Sequence, residues 1–198
     1  MRAPLPSALA RLAVAVVRFV PRELDAFAAK AGPRALAPAE KEALLQCHLF
    51  CGFPRTIAAL DHLRSAGIRA DPEGASGPTG SARAGEELFD RIYGDGADGV
   101  RQHLRSLDPD LADLVAGHAY GTVLSREGLD ARDRELLAVV MLAATGHDRQ
   151  LASHARGAIR CGADPDEVSA ALDAVEDLVP GTRMERARDV VARFTRGD

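Results

Sequence analysis

The chain of 198 residues contains no tryptophan, and aromatic residues make up only 4% of it. Alternating runs of β-branched residues, which would predict strands, are almost absent. The core must therefore be built mainly from Ala, Leu and Val, whose small side chains suit packing between helices better than a β-sandwich. The apolar fraction of 46% and the charged fraction of 27% are those of an ordinary globular protein. We predict an all-α fold.

The sequence also lacks any run of basic residues and any basic stripe interleaved with aromatics. Its 25 basic residues are outnumbered by 29 acidic ones, which gives a formal net charge of −4. Binding to nucleic acid depends on clustered Lys and Arg side chains that neutralise phosphates. We therefore expect no nucleic-acid partner.

No apolar stretch runs uninterrupted for the length of a membrane span. The segment from Leu9 to Val20 is apolar, but Arg11 and Arg18 interrupt it in the pattern of an amphipathic helix, and no small-residue cleavage site follows. Three cysteines, an odd number, do not make a disulfide framework. We expect a cytoplasmic protein with no membrane partner.

Helix start and stop signals are frequent on both sides of one stretch rich in Gly, Pro and Ser. We predict an N-terminal helical repeat over 1–66, a connector over 67–85 and a C-terminal helical region over 86–198 that carries the proposed site. In the N-terminal region the predicted helices run from about Ser7 to Phe19, from about Pro21 to Ala31, and from Pro38 to about Ala66 with a break near Pro54.

Two aspartates are predicted to begin helices in the C-terminal region. Asp130 stands before the helix that carries Glu135, and Asp164 stands three residues before Glu167 in a capping-box pattern. The chain also shows a diffuse internal repeat with a shift of about 127 positions. The overlay pairs Pro38 with Pro165, Ala8 with Glu135 and Phe27 with His154. Any chemistry therefore belongs to the C-terminal copy.

The segment from Arg134 to Gly162 places polar residues among apolar ones. His147, Gln150 and His154 share one helix face with Leu and Ala side chains, and Glu135 lies one helix earlier. Antiparallel packing of the two helices would bring the Glu135 carboxylate to His154. A Glu–His pair in a partly dry pocket suits proton transfer near neutral pH. The residue pattern alone leaves open the alternative that these are solvated side chains near helix starts.

The segment "YGTVLSREGLDARDRELLAVVMLAATGHDRQLASHARGAIRCGADPDEV" resembles the carboxymuconolactone decarboxylase family. Members show a Tyr-Gly pair, an Arg-x-Gly-Leu turn, an "REL" helix and a "QLxxH" helix in this order. The segment from Pro38 to Leu60, which contains "GFPR", is similar to another segment of the family. The wider superfamily includes alkylhydroperoxidase D-like proteins, which carry Cys-x-x-Cys. Here His147 and Gln150 occupy the two cysteine positions.

The resemblance implies an alkylhydroperoxidase D-like helical bundle built from two tandem repeats, and it implies self-association into a homo-oligomer. It also implies a lyase or isomerase that needs no cofactor and acts on a small molecule, a carboxylated lactone or a related acid. His154 would deliver a proton to carbon, and Glu135 would orient it. His147 would join this catalytic group, with His147 and Gln150 bonding the lactone oxygen.

Three further residues are candidates for substrate binding. Arg126, which follows the family's turn, or Arg132 could hold a substrate carboxylate through a bidentate pair. The alternative for each arginine is a solvated surface side chain, which is the commoner situation. Phe53, beside the helix break, is a candidate pocket residue or simply part of a packing turn.

Two other functions remain open at this point. A catalytically silent member of the fold would bind a ligand without turning it over. A thiol-dependent antioxidant of the alkylhydroperoxidase kind is disfavoured, because imidazole and amide cannot replace thiolates in an oxidation cycle.

We expect no metal site in either group of residues that could supply ligands. Cys47, His48 and Cys51 are too few ligands for a closed zinc site and find no second cluster. A triad of Glu135 with two histidines is equally disfavoured, because His147 and His154 lie about 10 Å apart along a helix axis.

Overall fold

The computed structural model of the protein describes residues 4–70 and 80–195, and about four fifths of them lie in helices. The prediction of an all-α protein is confirmed. The helices are α1 (Ser7–Arg18), α2 (Pro21–Ala31), α3 (Pro38–Ser65), α4 (Ala82–Tyr93), α5 (Ala97–Leu107), α6 (Pro109–Leu114), α7 (Ala131–Thr145), α8 (Asp148–Arg160), α9 (Pro165–Asp173) and α10 (Gly181–Thr195). Two short parallel strands, β1 (Arg34–Ala35) and β2 (Ile68–Arg69), pair beside the first three helices.

Two short 3₁₀ turns and one wider helical segment complete the described chain. The turns are Gly94–Gly96 and Glu176–Leu178. The residues Val115–Leu124, here called the π segment, continue α6 with the looser winding of a π-helix. Such segments are rare and are often found at functional sites.

The caps explain why α7 and α9 begin where they do. The Asp130 side chain accepts a hydrogen bond from the Asp133 amide at 2.9 Å, and Asp164 forms a capping box with Glu167. Each bond satisfies an amide that the first helical turn leaves without a partner. Gly146, with φ 88°, ends α7 in the left-handed region that favours glycine. Both predicted caps are confirmed.

Helix α3 consists of two helices that meet at Gly52, whose φ of 74° and ψ of 164° are not helical. The predicted break is therefore present, with the bend two residues before Pro54. By length and composition alone, α3 is the one helix among the described residues that could cross a membrane. Its two halves pack against α1, α2 and α7, as the core helix of a bundle does.

Helices α1 and α7 form the centre of the core. Val14 and Val17 of α1 and Leu137 and Met141 of α7 are almost completely buried. Because α1 packs directly against α7, the predicted N-terminal and C-terminal regions share this core. Replacing a side chain such as Leu137 by alanine would cost about 2–5 kcal/mol in the free energy of unfolding.

A smaller cluster lies where α4 packs against the π segment. At Gly85 an added Cβ would come within 2.6 Å of the backbone nitrogen of Gly121, so only glycine allows the two backbones to approach this closely. Helix α4 begins at Ala82, inside the predicted connector, and the Ser81 side chain caps it. Residues 71–79 of that connector lie outside the described residues.

Candidate active site

The candidate site is built on the antiparallel pair α7 and α8. Glu135 lies on α7 with only 1% of its surface exposed, among apolar neighbours. His154 lies on α8, and its Nδ1 is 2.9 Å from Oε2 of Glu135. The ring of Phe50, from α3, meets the His154 ring edge to face with 6.3 Å between centroids. The structure therefore brings together the two residues from which the sequence predicted proton transfer.

Gly157 makes room for this pair. It lies one turn after His154 on α8, where an added Cβ would clash with Oε2 of Glu135 and come within 2.8 Å of Cγ2 of Ile92. Glycine in a helix interior costs about 1 kcal/mol relative to alanine. The close contact with the carboxylate gives a reason for that cost.

Two opposing effects act on the imidazole of His154. Burial alone would lower the pKa of His154, but the negative charge of Glu135 and the hydrogen bond to it together raise the pKa above its ordinary value. The side chain of His154 is 12% exposed and that of Glu135 is 1% exposed. The Glu135 carboxylate thus favours the protonated imidazole, which holds a proton that can be delivered.

A cavity of about 540 Å³ opens beside His154. One wall comes from α8 and carries Arg149, Gln150, Ser153 and His154. The opposite walls are mostly apolar and come from α3, α5 and the π segment, with His103 among them. The volume lies within the range of about 300–1,000 Å³ that is typical of small-molecule sites.

Two tyrosines complete the wall between α4 and the π segment. Tyr93 and Tyr120 both line the cavity, and their hydroxyl oxygens are 3.1 Å apart in a hydrogen bond. Burial and the charge of Glu135 raise the pKa of both phenols, while the hydrogen bond from Tyr120 partly offsets the rise at Tyr93. Both side chains therefore keep their protons at neutral pH.

The other two residues of the predicted polar stripe separate from each other. Gln150 lines the cavity, as a residue that binds substrate would. His147 is exposed at the residue before α8, where its Nδ1 is 2.9 Å from the Thr145 hydroxyl, and it is not part of the cavity wall. Residues that share one helix face in the sequence pattern therefore do not all line the same cavity.

The two arginines predicted to hold a carboxylate are placed elsewhere. Arg126 forms an ion pair with Glu42 of α3 at 3.0 Å, in a largely buried network that also includes Arg134. Arg132 is 2% exposed and pairs with Asp133 and with Glu167. Neither arginine lines the cavity, and neither is the solvated side chain that the alternative described. The prediction that these arginines bind substrate is therefore corrected: both form ion pairs with carboxylates of the protein itself.

Phe53 also lies away from the cavity. Its side chain is 60% exposed and stacks on the ring of His48 with 4.7 Å between centroids. His48 in turn meets His118 of the π segment, with 2.7 Å between their Nε2 atoms. The aromatic residue that α3 does place in the cavity wall is Phe50, one turn earlier.

The cysteines do not form a reactive centre in this structure. Cys47 is buried, and burial raises the pKa of its thiol well above the ordinary value. Burial and the charge of Glu135 raise the pKa of Cys161 to about 11, although Arg91 opposes the rise. Thiols in this state are poor nucleophiles. No group of three or more His, Cys, Asp or Glu side chains suited to a metal occurs within residues 4–70 and 80–195.

Besides Phe50, sequence reasoning missed five residues of the site. Signals for two of them were present: Tyr120 belongs to the Tyr-Gly pair, and Gly157 interrupts a helix three residues after His154. Tyr93 and His103 reach the cavity from helices whose packing the sequence does not reveal. Arg149 lies next to Gln150 on α8 and was not predicted to bind substrate.

Comparisons with known proteins match the C-terminal part of the chain to a family. Residues 109–193 match the model of the Carboxymuconolactone decarboxylase family. A protein of Schizosaccharomyces pombe named Peroxisomal protein 2 is 29% identical over 145 residues, which cover 71% of this chain and 68% of that protein. The family match includes α7 and α8, and with them the Glu135–His154 pair.

Proposed function

Because residues 109–193 match the model of the carboxymuconolactone decarboxylase family, we propose that the chain is a lyase or isomerase that acts on a small carboxylated lactone or a related acid. The observation that carries the proposal is the contact between Glu135 and His154 at 2.9 Å beside the cavity of about 540 Å³. A buried carboxylate that holds an imidazole at the edge of a cavity is suited to general acid–base catalysis.

The charges around the cavity support an acidic substrate. Arg149, His103 and His154 line it, whereas no Asp or Glu of the described chain is part of its wall. The Arg149 guanidinium forms no ion pair with any side chain in residues 4–70 or 80–195, so it is available to a substrate carboxylate. The apolar side chains opposite α8 would cover the body of a small ring.

The proposed reaction needs one bond cleavage and one proton transfer. The bond between the ring carbon and the carboxylate breaks, CO₂ leaves, and the electron pair moves through the adjacent double bond towards the lactone carbonyl. The His154 imidazolium then delivers its proton to carbon, and Glu135 stabilises the imidazolium before that step. His154 regains its proton from water, so the residues are restored after each turnover.

The test is turnover of carboxymuconolactone, followed as CO₂ release. We expect activity in the wild type and its loss in His154→Ala and in Glu135→Gln, with circular dichroism showing that both variants remain helical. The matched control is His62→Ala, because His62 also contacts a carboxylate, Asp25 at 2.7 Å, but on an exposed surface. Wild-type protein without turnover, or equal loss in the control, would contradict the proposal.

The antioxidant alternative finds no support at the site. His147 and Gln150 occupy the two positions where alkylhydroperoxidase D-like proteins carry cysteine. Burial and the charge of nearby Glu135 raise the pKa of the Cys161 thiol to about 11. A thiol with that pKa is almost entirely protonated at neutral pH, so it would attack a peroxide slowly.

A further inference from the structure

The tyrosine pair in the cavity wall is not used by the proposed proton transfer. Tyr93 ends α4, and Tyr120 lies in the π segment. The ring of Phe89 contacts both, with centroid distances of 4.5 Å to Tyr93 and 4.8 Å to Tyr120. The close approach of Gly85 to Gly121 fixes the two elements against each other. The two hydroxyl groups are therefore held by rigid packing.

Counting protons shows that this pair has a hydrogen-bond donor to spare. Two phenols carry two hydroxyl protons, and the single hydrogen bond between them uses one. No other side chain or backbone group in residues 4–70 and 80–195 forms a hydrogen bond with either hydroxyl. Tyr93 accepts the hydrogen bond from Tyr120, so the hydroxyl proton of Tyr93 remains available to a partner in the cavity.

The electrostatic setting keeps this proton in place. Burial, together with the charge of Glu135, raises the pKa of both phenols, so neither ionises at neutral pH and each keeps its hydroxyl proton. A hydroxyl that has accepted a hydrogen bond also becomes a better donor, because chains of hydrogen bonds polarise one another. Tyr120 thus strengthens Tyr93 as well as positioning it.

We propose that Tyr93, supported by Tyr120, donates a hydrogen bond to the lactone carbonyl oxygen of the bound substrate and stabilises the negative charge that gathers there when CO₂ leaves. The inference rests on the proposed function, because it needs a substrate whose electrons move onto a carbonyl. No bond to carbon forms or breaks at either tyrosine, and His154 remains the group that delivers the proton. A preformed donor aimed at a developing oxyanion is among the strongest contributions to catalysis.

Infrared spectroscopy of a bound carbonyl tests this donor without turnover. The probe is γ-carboxy-γ-butyrolactone labelled with ¹³C at the lactone carbonyl, which lacks the double bond needed for decarboxylation. We expect its carbonyl stretch to move to lower frequency on binding to the wild type and to His154→Ala. In Tyr93→Phe the shift should be lost while binding remains, and in Tyr120→Phe it should be reduced. Thr122→Val is the matched control and should retain the shift, because it removes a hydroxyl of the π segment that donates to the Gly117 carbonyl and does not line the cavity.

Kinetics supply the second measurement. Removing one such donor lowers kcat by about 10²–10³-fold in enzymes with an oxyanion site. We expect this loss in Tyr93→Phe, with a much smaller change in KM. An unchanged carbonyl frequency and kcat in Tyr93→Phe would overturn the inference and leave the proposed function standing.

A further outcome would support the hydrogen-bond donor and refute the proposed function. A frequency shift that depends on Tyr93, in a protein that turns over no lactone, would support the donor and refute the proposed function. A wild-type protein that does not bind the labelled lactone would overturn the inference directly.

Discussion

The helix pairs α1–α2 and α7–α8 occupy corresponding places in the two halves of the chain. A shift of about 127 positions carries Pro21, which begins α2, onto Asp148, which begins α8, and carries Pro38 onto Pro165 at the starts of α3 and α9. The helix bounds follow the predicted overlay closely, although a duplication in the chain's history stays a prediction.

The chemistry of the two pairs differs at two positions. Where α7 and α8 carry Glu135 and His154, α1 and α2 carry Ala8 and Phe27. Phe27 packs on the apolar core of the first half, and the Arg34 guanidinium lies 6.0 Å from the centre of its ring. The first half therefore carries neither an acid nor an imidazole at these two positions, and only the second half forms such a pair.

A second comparison concerns two pairs with the same groups. His62 and Asp25 lie 2.7 Å apart with side chains 28% and 64% exposed, whereas His154 and Glu135 are 12% and 1% exposed. Exposed ion pairs contribute little because water screens them. Both pairs line a pocket, of about 510 Å³ at His62 and about 540 Å³ at His154, so the burial of the pair is what sets His154 apart.

The largest effect is expected when the second half is made to match the first. In the double variant Glu135→Ala/His154→Phe, turnover should fall by about 10²–10⁴-fold, because the general acid and its partner are gone. The melting temperature should also fall, because shortening the buried Glu135 side chain leaves a space beside α8. Steady-state kinetics and thermal denaturation measure the two effects. Turnover that survives the exchange would show that these residues are not the acid–base pair.

Gly157→Ala should give the next largest effect. The new methyl group would push the Glu135 carboxylate away from His154, and a displacement of about 1 Å can cost about 10²-fold in rate. The corresponding position in α2 is Lys30, where Lys30→Ala should leave turnover unchanged. Measured kcat/KM for the two variants compares them directly. Equal kcat/KM in Gly157→Ala and wild type would show that the carboxylate need not lie against α8.

The pH dependence should distinguish the buried histidine from an ordinary one. As a general acid, His154 must be protonated, so kcat/KM should fall as the pH rises through its pKa, which lies above the ordinary value of about 6.5. Its contribution to stability has the same sign: it is fully present below the unfolded pKa and is lost as the pH rises through the folded one. In Glu135→Gln the fall should move to lower pH, because burial remains and the raising charge is gone. NMR titration of the His154 ring checks the assignment, and an unmoved profile would contradict it.

The smallest effects should separate two arginines. Arg149→Gln should raise KM about fivefold, since a contact to an exposed charge contributes up to about 1 kcal/mol. Arg126→Gln should leave KM unchanged but lower the free energy of unfolding by about 3 kcal/mol, because it leaves Glu42 with a single partner in a largely buried network. Denaturant unfolding and substrate titration measure the two quantities. A raised KM in Arg126→Gln would restore the predicted role of that residue.

The predictions from sequence succeeded where the signals are local. Helix α2 runs from Pro21 to Ala31 as predicted, and the caps at Asp130 and Asp164 form because an acidic side chain and the amide it binds are only three residues apart. The site was harder. Arg126 looked like a carboxylate clamp until the structure placed Glu42, 84 residues earlier, against it. Nothing near Arg126 in the sequence indicates that partner.

The amino-acid sequence by itself determined that this protein is all-α, where most of its helices begin and end, and that polar residues are concentrated on α7 and α8, because periodicity and capping act within a few residues. Only the tertiary structure decided which of those polar groups meet and which side chains surround the cavity. The Tyr93–Tyr120 contact spans 27 residues, and the Glu135–His154 contact spans 19. Contacts of this kind depend on how whole helices pack, and that packing is set by the combined burial of many side chains.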